Sequence, residues 1–230
     1  MLSVNCCLLR LIPPLDDSMG YLDNIAVMDI ETTGLNPRKC AILSVGLVSY
    51  NGRLNEFYRE YYPFDGAEVM EVGMKINGFD LNKMRRDPVN DPKNVVDDVK
   101  RFLKASRCNV TAGQNPSFDR DFVNAYAERY GADFRLPIWM LDMHSVCMSY
   151  MLENGIKIPR KSDGGLCLSS DSILKFVGLG AEPKPHNALN GAKYEFEALC
   201  RLIYGKNMLL EFSDCPVPSE LTIDRRRYHI

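Results

Sequence analysis

The order of apolar and polar positions predicts three strands near the start of the chain. Residues 25–28 form a short apolar run, typical of a buried strand, that continues through Ile30. Residues 41–50 are almost entirely apolar, and residues 54–62 alternate between apolar and polar side chains. An Asn-Gly pair, which favours a hairpin turn, lies between these last two runs. The pattern therefore predicts three consecutive antiparallel strands at the start of the domain.

Apolar positions further along the chain recur at helical spacing. The clearest example covers residues 92–106, where Val95, Val99 and Phe102 share one face and Pro92 lies near the start. From there, helices alternate with two more apolar strands. The predicted helices are 67–78, a brief helix ending at 86, 92–106, 117–130, 144–153, 169–177 and 187–204, and the further strands are 108–113 and 138–142.

This order of elements predicts an α/β fold with three layers, in which a mixed five-stranded sheet has helices on both faces. The first strand is expected at the centre of the sheet. We assign residues 23–205 to a single domain, residues 1–22 to an N-terminal extension and residues 206–230 to a C-terminal tail.

Composition is that of an ordinary globular protein. The 230 residues suffice for one domain with a full core, and 46% of them are hydrophobic and 25% charged. A formal charge of −2 excludes the strong positive field of a nucleic-acid coat protein. The eight cysteines include no Cys-x-x-Cys pair, which favours reduced side chains in a cytoplasmic protein over disulfides or a zinc site. No apolar run approaches the length of a membrane span, so no membrane partner is expected.

Two acids at the end of the first strand are the first candidate for chemistry. Asp29 and Glu31 are two residues apart, so a strand projects both to the same face. Neighbouring carboxylates repel each other and are costly to desolvate unless a cation lies between them. Gly34 follows and supplies the backbone freedom for a turn close to a ligand. The pattern indicates either a cation site or a strand end with two solvated acids.

Two further clusters follow the later strands. Asn115 lies in the loop after the fourth strand, and Asp119 lies in the first turn of the next helix. The helix dipole by itself favours an acid at such a position. His186 lies in the loop before the last long helix and is one of three histidines. Taken alone, it has the sequence context of an exposed loop residue.

Together the three clusters resemble the motifs of the DEDD superfamily of 3′-to-5′ exonucleases, in its histidine-bearing branch, which includes proofreading subunits of bacterial polymerases. The first motif, Asp-x-Glu-Thr-Thr-Gly, and the second, Asn-x-x-Phe-Asp, match in full. The third, His-x-Ala-x-x-Asp, matches except at its last position, which is Gly191. The resemblance covers residues 25–204, and the matching residues are Asp29, Glu31, Thr32, Thr33 and Gly34, then Asn115, Phe118 and Asp119, then His186 and Ala188.

The resemblance implies a ribonuclease H-like fold and a metal-dependent enzyme that hydrolyses phosphodiester bonds from the 3′ end of a nucleic acid. Its cofactors would be two divalent ions, Mg²⁺ or Mn²⁺, which prefer hard carboxylate oxygens as ligands. It implies that Asp29 bridges both ions, that Glu31 holds one, and that Asp119 binds directly or through water. His186 would be the general base, because the pKa of an imidazole lies near neutrality.

The resemblance also implies a site for the 3′-terminal nucleotide. Backbone groups around Thr32 and Thr33 would hold the nucleotide, and Leu35 would wedge against its base. Ile76 lies in a segment that resembles the family's segment beside the terminal base. The residues implied to bind substrate are Thr32, Thr33, Gly34, Leu35, Ile76 and Asn115. The expected partners are a single-stranded nucleic-acid 3′ end and a polymerase.

Gly191 departs from the family pattern, because the acid that binds metal at this position is missing. Three outcomes are open. A water molecule replaces the missing metal ligand and leaves weak activity. Alternatively a neighbouring side chain replaces it, either Asn190 or Glu195, which lies one turn further along the helix. Otherwise the site is defective. The alternative function is therefore a catalytically impaired exonuclease-fold protein that binds nucleic-acid ends or a polymerase.

Overall fold

A computed structural model describes residues 22–86 and 90–222. Within these ranges the strands and helices occur in the predicted order. The strands are β1 (Ile25–Thr32), β2 (Ile42–Tyr50), β3 (Leu54–Glu60), β4 (Val110–Gly113) and β5 (Met140–Asp142). The α-helices are α1 (Glu71–Asn77), α2 (Leu81–Arg86), α3 (Val95–Ala105), α4 (Pro116–Arg129), α5 (Met143–Glu153), α6 (Ser170–Phe176) and α7 (Ala188–Tyr204). Apart from Leu22, the predicted N-terminal extension lies outside the described residues.

Helix α1 begins four residues later than the sequence predicts. The backbone N–H of Glu68 donates to the carbonyl of Lys39 at 2.8 Å, and that of Met70 donates to the carbonyl of Thr33 at 2.7 Å. These bonds hold the preceding segment extended, beside the turn that follows β1. Tertiary contacts therefore override a helical pattern in a short stretch, as is common for weak local propensity.

The five strands form one mixed sheet in the order β3-β2-β1-β4-β5. Strand β1 is central, as predicted. It pairs antiparallel with β2 and parallel with β4, and β5 continues the parallel half. Because parallel strands deliver their carboxyl ends to the same edge, the loops after β1, β4 and β5 meet at one side of the sheet.

Helices cover both faces of the sheet, which confirms the predicted three-layer α/β fold. On one face Val27 and Val48 pack with buried side chains of α5, α6 and α7. On the other face Met28, Ile30 and Leu47 pack with α3 and α4. Burial on both faces explains why β2 is almost entirely apolar.

The segment after α7 belongs to the core as far as residue 222. Part of residues 206–222, which the sequence assigns to a tail, packs in the core cluster that contains α7. Four of their side chains are buried, namely Met208, Leu209, Phe212 and Leu221. Their short apolar stretches lack a helical or strand period, so the sequence pattern gave no sign of this packing.

No helix in the described part of the chain is long and apolar enough to cross a membrane.

Candidate active site

Asp29 and Glu31 lie on the face of β1 that α7 covers, close to the first turn of that helix. The close approach depends on Gly46, which pairs with Asp29 across the β1–β2 ladder. A Cβ atom at position 46 would lie 2.1 Å from the carbonyl oxygen of Ala188, so only glycine admits the helix there. A Cβ at Gly191 would likewise lie 2.1 Å from Oδ2 of Asp29. The Asp29 carboxylate therefore rests directly on the start of α7.

Asp119 joins the two strand acids from α4. The helix begins at Pro116 after a sharp turn in which Asn115 adopts a left-handed conformation, with φ of 55°. This turn brings the first turn of α4, and Asp119 with it, to the end of β1. The Asp119 side chain is only 4% exposed. Burial and the charge of Glu31 raise its pKa, while the backbone N–H groups of Asp119 itself and Ile30 lower it.

Glu195 adds a fourth carboxylate from the second turn of α7. It is 8% exposed, and its Oε2 atom has no hydrogen-bond partner among the described residues. That atom lies 3.0 Å from the position a Cβ would take at Gly113, the last residue of β4. The sequence offered Glu195 only as one of several substitutes for the missing acid. The structure places its carboxylate at the edge where β1 and β4 end.

These acids form one electrostatic cluster. Burial raises the pKa of Asp29 well above its usual value, and the charges of Glu195, Asp119 and Glu31 raise it further. Burial and the charge of Glu182 raise the pKa of Glu31 to about 7. Burial and the charge of Asp119 also raise the pKa of Glu195. Burial and neighbouring carboxylates thus destabilise each group as an anion, an arrangement that is frequent at functional sites.

Among the His, Cys, Asp and Glu residues in the ranges 22–86 and 90–222, no three side chains are already arranged around a common ion position. The carboxylates converge on one edge of the sheet without surrounding a single point. A divalent ion would therefore draw them together by rotamer changes, which are small movements for Asp and Glu side chains.

His186 reaches the cluster through Glu182, an acid that the motif comparison did not identify. The two side chains approach to 3.7 Å between Nδ1 and Oε2, within ion-pair distance but too far for a hydrogen bond. The backbone N–H of His186 donates to the carbonyl of Ile76, which fixes the loop against α1. Glu182 also raises the pKa of Asp29 and of Glu31 through its charge. Its one sequence signal is its place four residues before His186 in Glu-Pro-Lys-Pro-His.

An apolar pocket of about 230 Å³ opens beside Glu31. Of the predicted substrate residues, Thr32, Gly34, Leu35 and Ile76 line it. Leu35 is largely exposed at its rim. The other lining residues are Ile30, Glu31, Met70, Val72, Gly73, Asn77 and Phe118. Asn77 ties α1 to β1, because its Nδ2 donates to the carbonyl of Thr32 at 3.1 Å.

Two predicted substrate residues do not line this pocket. Thr33 is fully buried, and its N–H and C=O are both bonded within the protein, to Ala41 and Met70. Its hydroxyl donates to the carbonyl of Glu68 at 2.6 Å. Asn115 is exposed on the α4 turn, where its N–H donates to Asp142 and its side chain accepts from Ser117. Thr33 therefore shapes the turn after β1, and Asn115 shapes the turn before α4.

Comparison with known proteins finds related nucleases. No protein-family model matches the chain. Ribonuclease T of Haemophilus influenzae (strain PittGG) is 29% identical over 124 residues, which cover 49% of this chain and 53% of that protein. Ribonuclease T of Actinobacillus pleuropneumoniae serotype 5b (strain L20) is 31% identical over 127 residues, which cover 49% of this chain and 56% of that protein. The chain thus spans about half the length of the curated relatives it matches.

The fold matches that of a solved exonuclease. Exonuclease I of E. coli, in complex with a dA16 oligonucleotide, superposes with a TM-score of 0.62 and 13% sequence identity. The match covers 79% of this chain and 41% of the exonuclease. The mixed five-stranded sheet with flanking helices is therefore the ribonuclease H-like exonuclease fold, as the sequence predicts.

Proposed function

We propose that this chain is a metal-dependent 3′-to-5′ exonuclease that acts on a single-stranded nucleic-acid end. The observation that carries the proposal is the convergence of Asp29, Glu31, Asp119 and Glu195 beside an apolar pocket. These acids come from three distant parts of the chain, and burying them together is costly unless a cation compensates their charge. The matched relatives, ribonuclease T and exonuclease I, support the same class of activity.

Mg²⁺ or Mn²⁺ fits this site by its donor chemistry. The carboxylates supply hard oxygen ligands, and the buried Oε2 of Glu195 lacks a partner that a cation would provide. Asp29, Glu31 and Asp119 would hold the metal. When bound, two such ions would polarise the phosphoryl group, activate the attacking water and stabilise the leaving oxygen.

The remaining residues would bind the strand end and move a proton. His186 would accept the proton of the attacking water. Because its Nδ1 faces Glu182, Nε2 would be the nitrogen that accepts this proton. The terminal base would enter the apolar pocket, which is lined by Thr32, Gly34, Leu35 and Ile76. Every base has an apolar face, so such a pocket would accept any of the four.

Incubation of the protein with a 5′-labelled single strand and Mg²⁺ or Mn²⁺ tests the proposal. Stepwise shortening of the strand from its 3′ end is the expected result. The second candidate, an impaired exonuclease-fold protein that binds a strand end or a polymerase, is favoured by the missing acid at Gly191. Binding of the strand without shortening under any of these metal conditions would support that candidate instead.

The Ile76→Glu variant tests the pocket. We expect the Michaelis constant for a single strand to rise roughly tenfold, since full burial of an aliphatic side chain contributes about 1.5–3 kcal/mol and a charged side chain forfeits it. Ile76 is 41% exposed, so the change leaves the fold intact. The matched control is Val69→Glu, because Val69 is 45% exposed on the same segment but does not line the pocket. Equal effects of the two variants would contradict a role of the pocket in binding.

The stability of the metal-free protein is expected to fall as the pH rises from about 5 to 8. In the unfolded chain the pKa of an Asp or Glu carboxyl is about 4. Burial and neighbouring charges raise the pKa of Asp29 in the folded protein, and that of Glu31 to about 7. Between these values the folded protein retains protons that the unfolded chain has released, so the free energy of unfolding decreases with rising pH.

Melting temperatures in a chelating buffer at several pH values measure this effect. Added Mg²⁺ or Mn²⁺ is expected to raise the melting temperature more at about pH 8 than at about pH 5, because the ions bind deprotonated carboxylates. The slope with pH is expected to be smaller in Asp29→Asn. A melting temperature that rises with pH in the chelating buffer would contradict the shifted pKa values.

A further inference from the structure

We propose that Glu195 supplies the fourth metal-binding carboxylate, from one helical turn beyond position 191, and that Gly191 and Glu195 together replace the acid missing from the third motif. This inference rests on the proposed metal-dependent function. It assigns a metal ligand that the motif pattern does not contain.

The Asp29 side chain limits the space at position 191. A Cβ built there would lie 2.1 Å from Oδ2, 2.9 Å from Cγ and 3.5 Å from Cβ of Asp29. The overlap involves Oδ2 and Cγ of Asp29, whereas its Cβ would be at ordinary contact distance. An aspartate at 191 would therefore displace the Asp29 carboxylate from the conformation it has in this structure. With glycine at 191, Asp29 can lie against α7, and the fourth acid must come from elsewhere.

The Glu195 side chain can extend to the space beside Gly191. Residues 191 and 195 are four apart on α7, so they share one face, about 6 Å apart along the helix axis. Side chains in a helix lean towards its N-terminus, which carries the Glu195 carboxylate back over the turn that contains Gly191. Its Oε2 lies 3.0 Å from the Cβ position of Gly113, and the carbonyl oxygen of Met28 is equally close to that position. The carboxylate thus lies at the end of β4, near enough to Asp29 for its charge to raise the pKa of that acid.

One carboxylate oxygen of Glu195 is buried without a partner. Glu195 is 8% exposed and its Oε2 atom accepts no hydrogen bond from the described residues. The backbone N–H of Gln114 favours the charged form of Glu195, but the charges that act on it come from Asp119, Glu182 and Asp142, all of them carboxylates. A buried carboxylate oxygen among other acids is unfavourable unless a cation compensates it. Among the described residues no cation pairs with Glu195, whereas a divalent ion held by Asp29 would provide one.

Glu182 is the competing source of a fourth ligand, and the structure gives it a different role. It lies on the loop before α7, and its two carboxylate oxygens face His186 and the backbone N–H of Asn187. One oxygen of Glu182 therefore accepts a hydrogen bond and the other lies at ion-pair distance from His186, whereas Glu195 Oε2 has no partner among the described residues. The two glutamates make a matched pair for an experiment, because both act on Asp29 by charge and only one is expected to bind metal.

Titration of the full chain with Mn²⁺ alone, without nucleic acid, tests the inference by calorimetry and by the electron paramagnetic resonance signal of free Mn²⁺. Glu195→Gln is expected to weaken Mn²⁺ binding by at least about tenfold, the scale seen when a metal site loses a supporting group. Its melting temperature in a chelating buffer should equal or exceed that of the wild type, because the substitution removes a buried charge. Glu182→Gln is expected to bind Mn²⁺ within about twofold of the wild type.

The inference is overturned if Glu195→Gln binds Mn²⁺ as tightly as the wild type, if Glu182→Gln loses as much affinity, or if the wild type binds no Mn²⁺. Should Glu195→Gln fail to fold, Glu195→Asp provides the second variant. It keeps the charge but withdraws it by one methylene, and an unchanged affinity would again overturn the inference. Metal affinity and strand shortening are separate readouts. If the wild type cuts no strand but Glu195→Gln still weakens Mn²⁺ binding, only the proposed function is refuted. If the wild type is active and Glu195→Gln binds Mn²⁺ as tightly, only this inference is refuted.

Discussion

Replacement of Asp29 by asparagine is expected to lower the rate of nucleotide release by at least about 100-fold, the scale seen when one electrostatic group is removed from an active site. The same change is expected to raise the melting temperature of the metal-free protein. Asparagine keeps the shape of the side chain and removes its charge. Activity and stability thus move in opposite directions, which is the behaviour of a residue kept for function at a cost in stability.

The physical reason lies in the neighbours of Asp29. Burial disfavours its anionic form, and the charges of Glu195, Asp119, Glu31 and Glu182 act in the same direction. The neutral amide relieves all of these interactions at once. It also removes the carboxylate that the motif resemblance assigns to both metal ions. Initial rates of 3′-end shortening and melting curves in a chelating buffer measure the two effects.

Asp121→Asn is the matched control for this variant. Asp121 lies one position beyond Arg120 on α4, is exposed, and pairs with that arginine at 2.7 Å. The same chemical change on this surface is expected to alter the rate by less than about twofold, because exposed ion pairs contribute little. If Asp29→Asn lowered both activity and melting temperature, Asp29 would have a structural role instead of the proposed one.

Replacement of Arg201 by methionine is expected to lower the free energy of unfolding by about 3–5 kcal/mol, the usual cost of breaking a buried ion pair from one side. Arg201 and Glu197 are both fully buried on α7, with 2.9 Å between Nε and Oε1. The other guanidinium nitrogens donate to the carbonyls of Val177 and Cys215, both at 2.9 Å. Glu197 accepts from the backbone N–H groups of Met208 and Leu209 in turn.

This pair therefore attaches the segment after α7 to the core. Without Arg201, the charge of Glu197 stays buried with no cation, and two or more carbonyl groups lose their donor. Chemical denaturation measures the loss. In the double variant Arg201→Met/Glu197→Met, the loss is expected to be smaller than the sum of the single losses, because no charge is left unpaired.

Arg101→Met is the control for Arg201. Its guanidinium also pairs with an acid on its own helix, Asp98, at 3.1 Å, but the arginine side chain is 71% exposed. We expect a loss below about 1 kcal/mol for this variant. A loss of similar size for Arg101→Met and Arg201→Met would show that burial of the ion pair is not what makes Arg201 important.

The sequence by itself determined the order of elements, the three-layer α/β class and the central position of β1, because a strand or helix must turn its apolar side to the core. It also determined that Asp29 and Glu31 share a face. The elements and the shared face of the two acids follow from periods of two and 3.6 residues, which are local properties of the backbone, and the fold class follows from the order of the elements.

Only the tertiary structure decided which atoms share the site. The motif pattern assigned a nucleotide contact to Thr33, whose polar groups are instead bonded to Ala41, Met70 and Glu68. It left the missing acid at Gly191 unresolved, whereas the fold places Asp29 against that glycine and Glu195 at the sheet edge. Such proximities depend on how closely α7 approaches β1 and β2 and on the path of loops that have no period. These distances are set by contacts between residues far apart in the chain, so no local pattern encodes them.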